Sequence, residues 1–428
     1  MRAWHLWDFP EKSFTVELNN KFRDYLKNKV KIQSSFYKLG KRINVNYVLI
    51  HQAFDRDKFP LYIILRLLDF LKINRNILEK NLLSFSCYNG KIKIASPRLP
   101  VQESVELYEL IGHMLGDGYI ARKSNYTSNY TNTSKALINR FKFLINKSFG
   151  KIQLGGYYDK RSDAVTLRVI KPIEIILTNI FPETIERKMP QVLYKLPSRF
   201  ASAFIKAFAD DESCVTTSAI VLTSINRLLL LNIKKLLLSK LGFSEDTITK
   251  VKAKKNLFIL SIKGKGLKKF SEAIGFVHPM KREDLLFEIK RKTMNNTAKS
   301  EGQIKAKITQ QLNLPKTSKE LSRVLKIQRQ NINRHLRELN SKGYVKIHST
   351  SKYKVPKWIK LKDFIPLTDN YKNNVLNLLS ADRDLKTKQI SDYLVLSKDE
   401  TLRYLHQLRI ADKIFYKVIG KTYYWALK

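Results

Sequence analysis

The strongest constraint on the fold is a segment that occurs twice, 95 residues apart. Residues 109–118 read ELIGHMLGDG and residues 204–213 read FIKAFADDES, so the two copies align without a gap. Each copy is largely apolar and ends in a polar stretch. The last acid of that stretch is Asp117 in the first copy and Glu212 in the second. A repeat of this kind predicts two equivalent structural units that pack together.

A small residue lies five positions before each of these acids, Gly112 in the first copy and Ala207 in the second. Small residues inside an apolar helix let the backbone of a second helix approach closely. Two helices packed in this way would bring Asp117 and Glu212 together at one end, and paired carboxylates bind hard divalent cations. The alternative is two ordinary core helices that each end in a solvated acid at a glycine-type cap. The shared register of the two copies favours the metal site.

The two segments resemble the paired motifs of the single-chain LAGLIDADG (DOD-type) homing endonucleases. The surrounding phrases YTNTSKALINRF, RKMPQVLYKLPSRFASAFIKAFADDESCV and AIGFVHPMK resemble the versions found in archaeal members. The resemblance covers about Phe59 to Lys290. It implies an α+β fold with two pseudo-symmetric αββαββα half-domains, and a monomeric enzyme that hydrolyses DNA phosphodiester bonds with Mg²⁺ or Mn²⁺.

The resemblance also implies roles for particular residues. In the family the last acid of each motif binds the catalytic metal, which corresponds here to Asp117 and Glu212. The second motif departs from the pattern, because Asp211 occupies a usually small position. Asp211 is therefore an alternative ligand, although the register favours Glu212. A lysine near the metals is common in the family; Lys281 matches it and Lys188 is its loose counterpart, and the alternative for each is an ordinary surface lysine.

The charge of the chain indicates a polyanionic partner. The 428 residues include 80 Lys and Arg against 37 Asp and Glu, which gives a net charge of +43. Nucleic acid is the usual partner of so basic a protein, and the rival, an anionic membrane surface, lacks support because no lipid-anchor pattern is present. Two cysteines exclude a disulfide framework and suit a reducing interior. We expect a cytoplasmic, nucleoid-associated protein without a membrane segment.

Five domains are predicted along the chain. Residues 1–100 form a helical N-terminal domain. Its segments Ile43–Phe54 and Pro60–Leu71 read either as a helix-turn-helix or as a packing unit without DNA contacts. Residues 101–196 and 197–297 are the two half-domains, and the polar segment 291–305 is predicted to be a linker. Two winged helix-turn-helix domains are predicted for residues 306–362 and 363–428.

Basic and aromatic residues cluster after the first motif and on the predicted strands of both half-domains. Cys214–Thr223 alternates as a strand does, and such strands can lie in a DNA groove. The alternative is a solvated sheet face, and the charge of the chain favours DNA contact. The candidate DNA-binding residues are Arg122, Lys123, Tyr157, Lys160, Arg161, Arg168, Lys252 and Lys254.

The C-terminal part contains a second repeat, with Thr317–Ile347 and Thr387–Leu427 related by a shift near 69 residues. Each copy resembles the winged helix-turn-helix domains of prokaryotic regulators. Arg and Asn suit base reading in the major groove, so the second helix of the first copy is a candidate reader through Arg329, Asn333, Arg334 and Arg337. The second copy has fewer such residues, so it can instead pack against the first or form a dimer face.

The leading hypothesis is a monomeric, site-specific endonuclease that cuts double-stranded DNA with Mg²⁺ or Mn²⁺. The first rival is a DNA-binding transcriptional regulator that keeps the same scaffold but does not cleave. The second rival is an intron RNA maturase, whose partner would be RNA. Neither metal acid is lost from the motifs, which favours the enzyme.

Overall fold

The computed structural model forms two compact units, Met1–Ile289 and Lys290–Lys428. It describes residues 2–87, 90, 92–121, 127–291, 301–325, 327, 329–350, 356–361, 371–381, 384–394, 398–420 and 422–428. In these ranges, no helix combines the length and apolar character needed to cross a membrane. The division into five domains, including the boundaries given above, remains a prediction.

The N-terminal region mixes helices and strands, so the expectation of a helical domain is corrected. The elements are β1 (Ala3–Trp4), β2 (Phe14–Leu18), α1 (Asn20–Gln33), α2 (Phe36–Ile43), α3 (Tyr47–Asp55), β3 (Phe59–Pro60), α4 (Leu61–Phe70), α5 (Asn76–Lys80), β4 (Leu82–Cys87), β5 (Lys93–Ala95) and β6 (Val101–Gln102). Strands β3-β2-β4-β5 form one antiparallel sheet, in that order. Phe14, Val16 and Leu18 are buried on one side of β2, the period of two that a half-buried strand requires.

The first copy of the repeat lies in a run of helix, two strands, helix, two strands and helix. The elements are α6 (Val105–Leu115), β7 (Gly118–Tyr119), β8 (Asn129–Asn132), α7 (Lys135–Phe149), β9 (Gly156–Asp159), β10 (Ala164–Arg168) and α8 (Lys171–Ile180). The sheet order is β7-β8-β10-β9. Ser104 caps α6, because its side chain accepts a hydrogen bond from the Leu107 amide.

The second copy lies in a run with the same order of elements. They are α9 (Ser198–Glu212), β11 (Ser213–Thr216), β12 (Ala219–Ser224), α10 (Arg227–Ser239), β13 (Lys252–Lys254), β14 (Leu257–Lys263) and α11 (Gly266–Ala273), followed by α12 (Pro279–Arg291). The sheet order is β11-β12-β14-β13. The strand signal over Cys214–Thr223 corresponds to the hairpin of β11 and β12, which turns at Ser218, whose backbone is left-handed with φ of 68°.

Helices α6 and α9 pack directly against each other. A Cβ atom placed on Gly112 would lie 2.4 Å from the Phe204 carbonyl oxygen and 2.8 Å from the Ala207 Cβ. Both distances are far below van der Waals contact, so the helices approach this closely only because residue 112 has no side chain. The small residues of the two copies therefore mark the point of helix contact, as the sequence predicts.

The second unit contains two smaller cores. The first is built from α13 (Glu301–Gln311), β15 (Lys316–Thr317), α14 (Ser318–Leu325), α15 (Arg329–Ser341), β16 (Val345–Thr350) and β17 (Pro356–Lys360). The second is built from α16 (Tyr371–Ala381), β18 (Leu385–Lys386), α17 (Thr387–Leu394), α18 (Lys398–Ile410), β19 (Ile414–Ile419) and β20 (Thr422–Leu427). The sheets have the equivalent orders β15-β17-β16 and β18-β20-β19. Their description as winged helix-turn-helix domains remains a prediction.

Candidate metal centre

The C-terminal ends of α6 and α9 bring four acids to one part of the molecule. Asp117 follows the end of α6, and Asp210, Asp211 and Glu212 form the last residues of α9. Consecutive residues of a helix point about 100° apart, so the three acids of α9 must face different surroundings. Their burial and hydrogen bonds separate two structural acids from two accessible ones.

Asp210 holds the loop that precedes α12. Its side chain is buried and accepts hydrogen bonds from the amides of Val277, at 3.0 Å, and His278, at 2.9 Å. Burial raises the pKa of Asp210 to about 6, although the two amide hydrogen bonds oppose the increase. These contacts use both carboxylate oxygens, so Asp210 is positioned to stabilise the loop.

Asp211 is committed to contacts with the first half. Its side chain is fully buried, and it accepts a 2.8 Å hydrogen bond from the Tyr130 hydroxyl. His113 Nδ1 lies 2.9 Å from Asp211 Oδ2, and Asn132 Nδ2 donates to Asp211 Oδ1 at 3.3 Å. A Cβ on Gly116 would lie 2.7 Å from the Asp211 Cβ, so the space beside Gly116 is taken by Asp211. Asp211 is thus poorly placed to reach a cation at the surface.

His113 is buried at this end of the helix pair and is the partner of Asp211. Burial lowers the pKa of His113, but the Asp211 carboxylate beside it outweighs burial, and the net pKa is raised. The imidazole therefore tends to carry the proton and to neutralise Asp211. Asp211 thus has its own counter-charge, and Asp117 and Glu212 are the accessible carboxylates of the site.

Glu212 is half-buried at the end of α9, and no donor to its carboxylate occurs in the part of the chain that the structure describes. Burial raises the pKa of Glu212 and Asp211 raises it further, while Arg187 and Lys281 oppose the increase. A carboxylate that is partly desolvated without a donor is ready to bind a cation. Among the three acids of α9, Glu212 is the one whose carboxylate is neither fully buried nor hydrogen-bonded within the described residues.

Asp117 is the second accessible acid. The residue is exposed, and its Oδ2 accepts a 2.8 Å hydrogen bond from Asn132 Nδ2. The surrounding protein still desolvates the carboxylate, and the charges of Asp211 and Glu212 add to this effect, which raises the pKa of Asp117 to about 7. Glu212 contributes to this raised pKa, so the charge of one accessible carboxylate is felt at the other.

Two basic side chains cap the two helix ends. Lys281 Nζ donates to the Ala209 carbonyl oxygen at 3.2 Å and also to the Asp210 carbonyl oxygen. Arg187 Nη2 donates to the carbonyl oxygens of Leu115, at 3.0 Å, and Gly116, at 3.2 Å. Arg187 thereby satisfies carbonyl groups at the end of α6, and Lys281 adds a donor to the carbonyl groups at the end of α9. Burial lowers the pKa of Lys281, although the nearby carboxylates counteract it.

The catalytic role predicted for Lys188, the counterpart of Lys281 in the first half, stays a prediction. Lys188 is exposed and pairs with Glu186, whereas the adjacent Arg187 donates to the Leu115 carbonyl oxygen at the end of α6. Arg187 has a left-handed backbone with φ of 57°, which turns its side chain toward α6. The sequence signal was present one residue away, but alignment of loops cannot resolve a single-residue shift.

A divalent cation fits this arrangement. In the described residues there is no group of three or more His, Cys, Asp or Glu side chains with the geometry of a metal site. Mg²⁺ is typically held by one or two carboxylates and completes its coordination with water and substrate phosphates. Two accessible carboxylates with raised pKa values match this requirement, and their mutual repulsion would be relieved by the ion.

The predicted DNA contacts on the strands are solvent-accessible. Tyr157 pairs with Thr166 across β9 and β10, so Tyr157 and Arg168 lie on the same face of their sheet. Lys252 and Lys254 lie on one face of β13 and are exposed, and Lys160 and Arg161 are exposed in the turn after β9. Arg122 and Lys123 lie outside the described residues. The role of all these residues in binding DNA stays a prediction.

The candidate reading helix of the second unit is α15. Its buried side includes Ile332, Leu336 and Leu339. Arg334 and Arg337 are exposed on the opposite side, Asn333 is half-exposed, and Arg329 Nε donates to Ser318 Oγ at 3.2 Å. The helix is therefore amphipathic with a basic outer face, as base reading would require.

A family model described as a LAGLIDADG-like domain matches residues 199–275. This match begins in α9 and continues just past α11, so it covers the second copy of the repeat. The protein is thus similar to the LAGLIDADG homing endonuclease type, as the two motifs predict.

One similar curated protein is the DNA polymerase II large subunit of Thermococcus kodakarensis, which is 23% identical over 256 residues. The match covers 55% of this chain but only 14% of that protein. Similar solved structures include I-DmoI in complex with DNA and Mn, which is 22% identical and has a TM-score of 0.31. The match covers 40% of this chain and 96% of that chain. The homing endonuclease I-WcaI bound to its DNA recognition sequence has 18% identity, with 42% and 85% of the two chains covered and a TM-score of 0.31.

Proposed function

We propose that the protein is a divalent-metal-dependent endonuclease that cuts double-stranded DNA at a specific site and acts as a monomer. One observation carries the proposal. The close packing of α6 on α9 leaves Asp117 and Glu212 accessible at the same end, while the neighbouring Asp210 and Asp211 are buried and hydrogen-bonded. This arrangement separates two carboxylates for a cation from two carboxylates for the fold.

Mg²⁺ or Mn²⁺ bound here would supply activation of water and stabilisation of the departing oxygen in phosphodiester hydrolysis. Asp117 and Glu212 would hold the ion. Lys281 donates to the Ala209 carbonyl oxygen, which places its cationic group at the end of α9. There it would orient water or a phosphate oxygen. Arg187 would do the same at the end of α6. Lys188 is not assigned a role, because it faces Glu186.

Charge supports DNA as the substrate. The net charge of +43 favours a polyanion, and binding of a basic surface to DNA releases condensed counterions. The exposed face with Tyr157 and Arg168, and the exposed lysines of β13, would contact the duplex on either side of the metal centre. A DNA-cutting role would place the protein at the nucleoid in the cytoplasm.

The test is cleavage of a plasmid library that carries random inserts, with Mg²⁺ present. We expect double-strand breaks at one preferred sequence. Asp117→Asn and Glu212→Gln should each reduce the cleavage rate by at least about 100-fold, because each removes a charged ligand of the cation that would stabilise the reacting phosphate. Asp246→Asn and Glu272→Gln are matched controls at exposed positions in the second half.

Three results would contradict the proposal. Tight and specific DNA binding without breaks would indicate a non-cleaving regulator. Preference for a folded intron RNA over duplex DNA would indicate a maturase. Equal loss of cleavage in the Asp117, Glu212 and control variants would show that cleavage does not depend on these two acids.

A further inference from the structure

The N-terminal region carries a concentrated positive charge that the metal centre does not use. Between Asn20 and Ile43, which spans α1 and α2, the sequence has eight Lys or Arg residues and one acid, Asp24. Lys29, Lys38 and Lys41 are exposed in the structure. So dense an excess on two neighbouring helices is unfavourable in isolation and indicates an anionic partner.

Helices α2 and α3 meet in a tight corner. The corner consists of Asn44, Val45 and Asn46, and Asn44 adopts a left-handed conformation with φ of 51°. A Cβ on Gly40 would lie 2.6 Å from the Val45 carbonyl oxygen, so the corner can close only over a glycine. The Asn46 side chain then caps α3 by accepting a hydrogen bond from the Val48 amide. A three-residue turn between two helices is the connection length of a helix-turn-helix.

A third helix holds this corner in place. Arg66 of α4 donates from Nη1 to the carbonyl oxygens of Ile43, at 3.2 Å, and Asn44, at 2.9 Å. Beneath the corner, Leu39 and Ile50 are buried in the apolar core of the first unit. The helix pair is therefore a rigid surface element. The pair proposed from sequence, Ile43–Phe54 with Pro60–Leu71, is corrected, because strand β3 separates α3 from α4.

The outer face of the corner combines aromatic and basic groups. Tyr37 and Tyr47 are 54% and 47% exposed, and their ring centroids lie 5.7 Å apart in an edge-to-face arrangement. Lys41 Nζ lies 4.6 Å from the centroid of the Tyr37 ring. These side chains line a depression of about 280 Å³ at the turn. Large aromatic side chains that remain this exposed beside lysines are typical of nucleic-acid contacts.

We infer that α2 and α3 form a helix-turn-helix that docks on duplex DNA. Basic α2 would cross the phosphate backbone through Lys38 and Lys41, and the N-terminal end of α3 would enter the major groove with Tyr47 leading. This is the docking that helix-turn-helix units use, with the first helix on the backbone and the start of the second on base edges. The inference deepens the proposed function by adding a DNA contact, but it does not depend on the metal centre.

Duplex DNA fits this surface better than the other polyanions. The tight corner presents a short helix end whose width suits the major groove of B-form DNA, whereas the major groove of A-form RNA is too deep and narrow for side chains to read. A single-stranded partner would need a groove that tracks the backbone, whereas the depression here is confined to the corner between α2 and α3.

The test compares the affinity of full-length variants for a 60-base-pair duplex, measured by fluorescence anisotropy over a series of salt concentrations. Lys38→Gln with Lys41→Gln should weaken binding on the order of tenfold and should lower the slope of log affinity against log salt by roughly 2, since each lost phosphate contact removes about 0.9. Lys265→Gln with Lys268→Gln is the control, because these lysines have the same spacing and exposure. Tyr47→Ala should change the preference among duplex sequences without changing the slope.

Several outcomes would overturn the inference. The control pair could lower affinity and slope as much as the α2 pair, which would show only the general effect of charge. The α2 variant could lose affinity for a folded RNA and keep it for the duplex. Both pairs lie at exposed positions, so thermal unfolding should be unchanged and loss of fold can be separated from loss of contact. Asp117 and Glu212 are unaltered in these variants, so cleavage at saturating protein should continue, and its failure would instead question the metal centre.

Discussion

Helix α6 ends at Leu115, two residues before Asp117, whereas α9 continues as a helix through Glu212. The acid of the first copy therefore extends from a turn, is exposed and has Asn132 as a donor. The acid of the second copy stays on the helix and is half-buried, and no donor is present for it in the described ranges. The two copies of the motif thus present their carboxylates from different backbone conformations, a turn in the first copy and a helix in the second.

The two copies also differ at one position that lies at the helix contact. Gly116 in the first copy corresponds to Asp211 in the second, and these two residues face each other across the helix pair. Asp211 occupies the space beside Gly116 and there contacts Tyr130 and His113. The departure from the small residue expected at position 211 is therefore accommodated by the glycine of the other copy. A symmetric pair of aspartates would place two carboxylates in one buried volume, where at least one would be protonated.

The largest expected effect comes from removing the carboxylate that makes the copies differ. Asp211→Ala should destabilise the first unit by about 3 kcal/mol, because it leaves His113 buried without its counter-charge. Hydrogen exchange of the α6 and α9 amides would measure the loss. Asp246→Ala, at an exposed position, is the control. A change of less than about 1 kcal/mol, within the usual range of a surface substitution, would show that this network does not stabilise the helix pair.

The destabilisation caused by Asp211→Ala should be larger at low pH than at high pH. Asp211 keeps the pKa of His113 above its ordinary value of 6.5 despite burial. The pairing therefore contributes its full stability below pH 6.5 and loses it as the pH rises through the pKa of the folded state. Asp211→Ala should cost more at pH 6 than at pH 9, and titration of the His113 ring protons by NMR should show a lower pKa in the variant. An unchanged His113 pKa would contradict the pairing.

The next effect tests the packing that the two copies share. Gly112→Ala should destabilise the helix pair by about 2 kcal/mol, because the added Cβ overlaps the Phe204 carbonyl oxygen. Gly155→Ala is the matched control, since nothing lies within 4 Å of a Cβ at that position. Thermal unfolding would compare the two variants. If both variants unfold at the temperature of the unaltered protein, the close approach at Gly112 is not required.

The two capping residues offer a third comparison. Lys281→Met and Arg187→Met should each slow cleavage by about tenfold, which is about 1.4 kcal/mol in the barrier. Each residue caps one helix end, so we expect each variant to cut one DNA strand more slowly than the other and to accumulate nicked plasmid. The strand left intact should differ between the two variants. Lys188→Met is the control at the neighbouring exposed position and should cleave normally. Nicking of the same strand by both variants would refute a division of labour between the helix ends.

The smallest expected effect is the destabilisation that the ionised Asp117 carboxylate causes at the end of α6. The pKa of Asp117 is raised from 3.8 to about 7, so its contribution to stability is complete below pH 3.8 and is lost as the pH rises through 7. Asp117→Asn should therefore stabilise the protein at pH 8, by about 1 kcal/mol because solvent screens an exposed side chain. Thermal unfolding at pH 5 and pH 8 would show the gain at the higher pH. A stabilisation larger at pH 5 would contradict the raised pKa.

The sequence predicts the helix pair well, and the reason is physical. Helical apolar spacing, repeated in register around Gly112 and Ala207, is a local signal that the packing preserves. The functions of Asp210, Asp211 and Glu212 cannot be separated in the same way. Adjacent helix positions look alike in sequence, and their roles depend on partners such as the Val277 amide and Tyr130, which come from distant parts of the chain.

Short strands and loops were the other features that the sequence obscured. The hairpin at Ser218 and the identity of Arg187 both depend on residues with positive φ that are not glycine, and such residues have no clear signal in one sequence. The short strands of the N-terminal sheet, such as β3 with two residues, are too brief to show a period of two. Pairing with distant strands, rather than local preference, creates them.

The most direct test of the central claim is equilibrium binding of Mn²⁺ to the full-length protein, measured by the electron paramagnetic resonance signal of the free ion. The unaltered protein should bind Mn²⁺ at the helix ends, and both Asp117→Asn and Glu212→Gln should weaken that binding by at least about tenfold, since each removes a charged oxygen ligand. Asp246→Asn should bind as the unaltered protein does. Mn²⁺ binding that is equally strong in all four proteins would contradict the assignment of these two carboxylates as the metal centre.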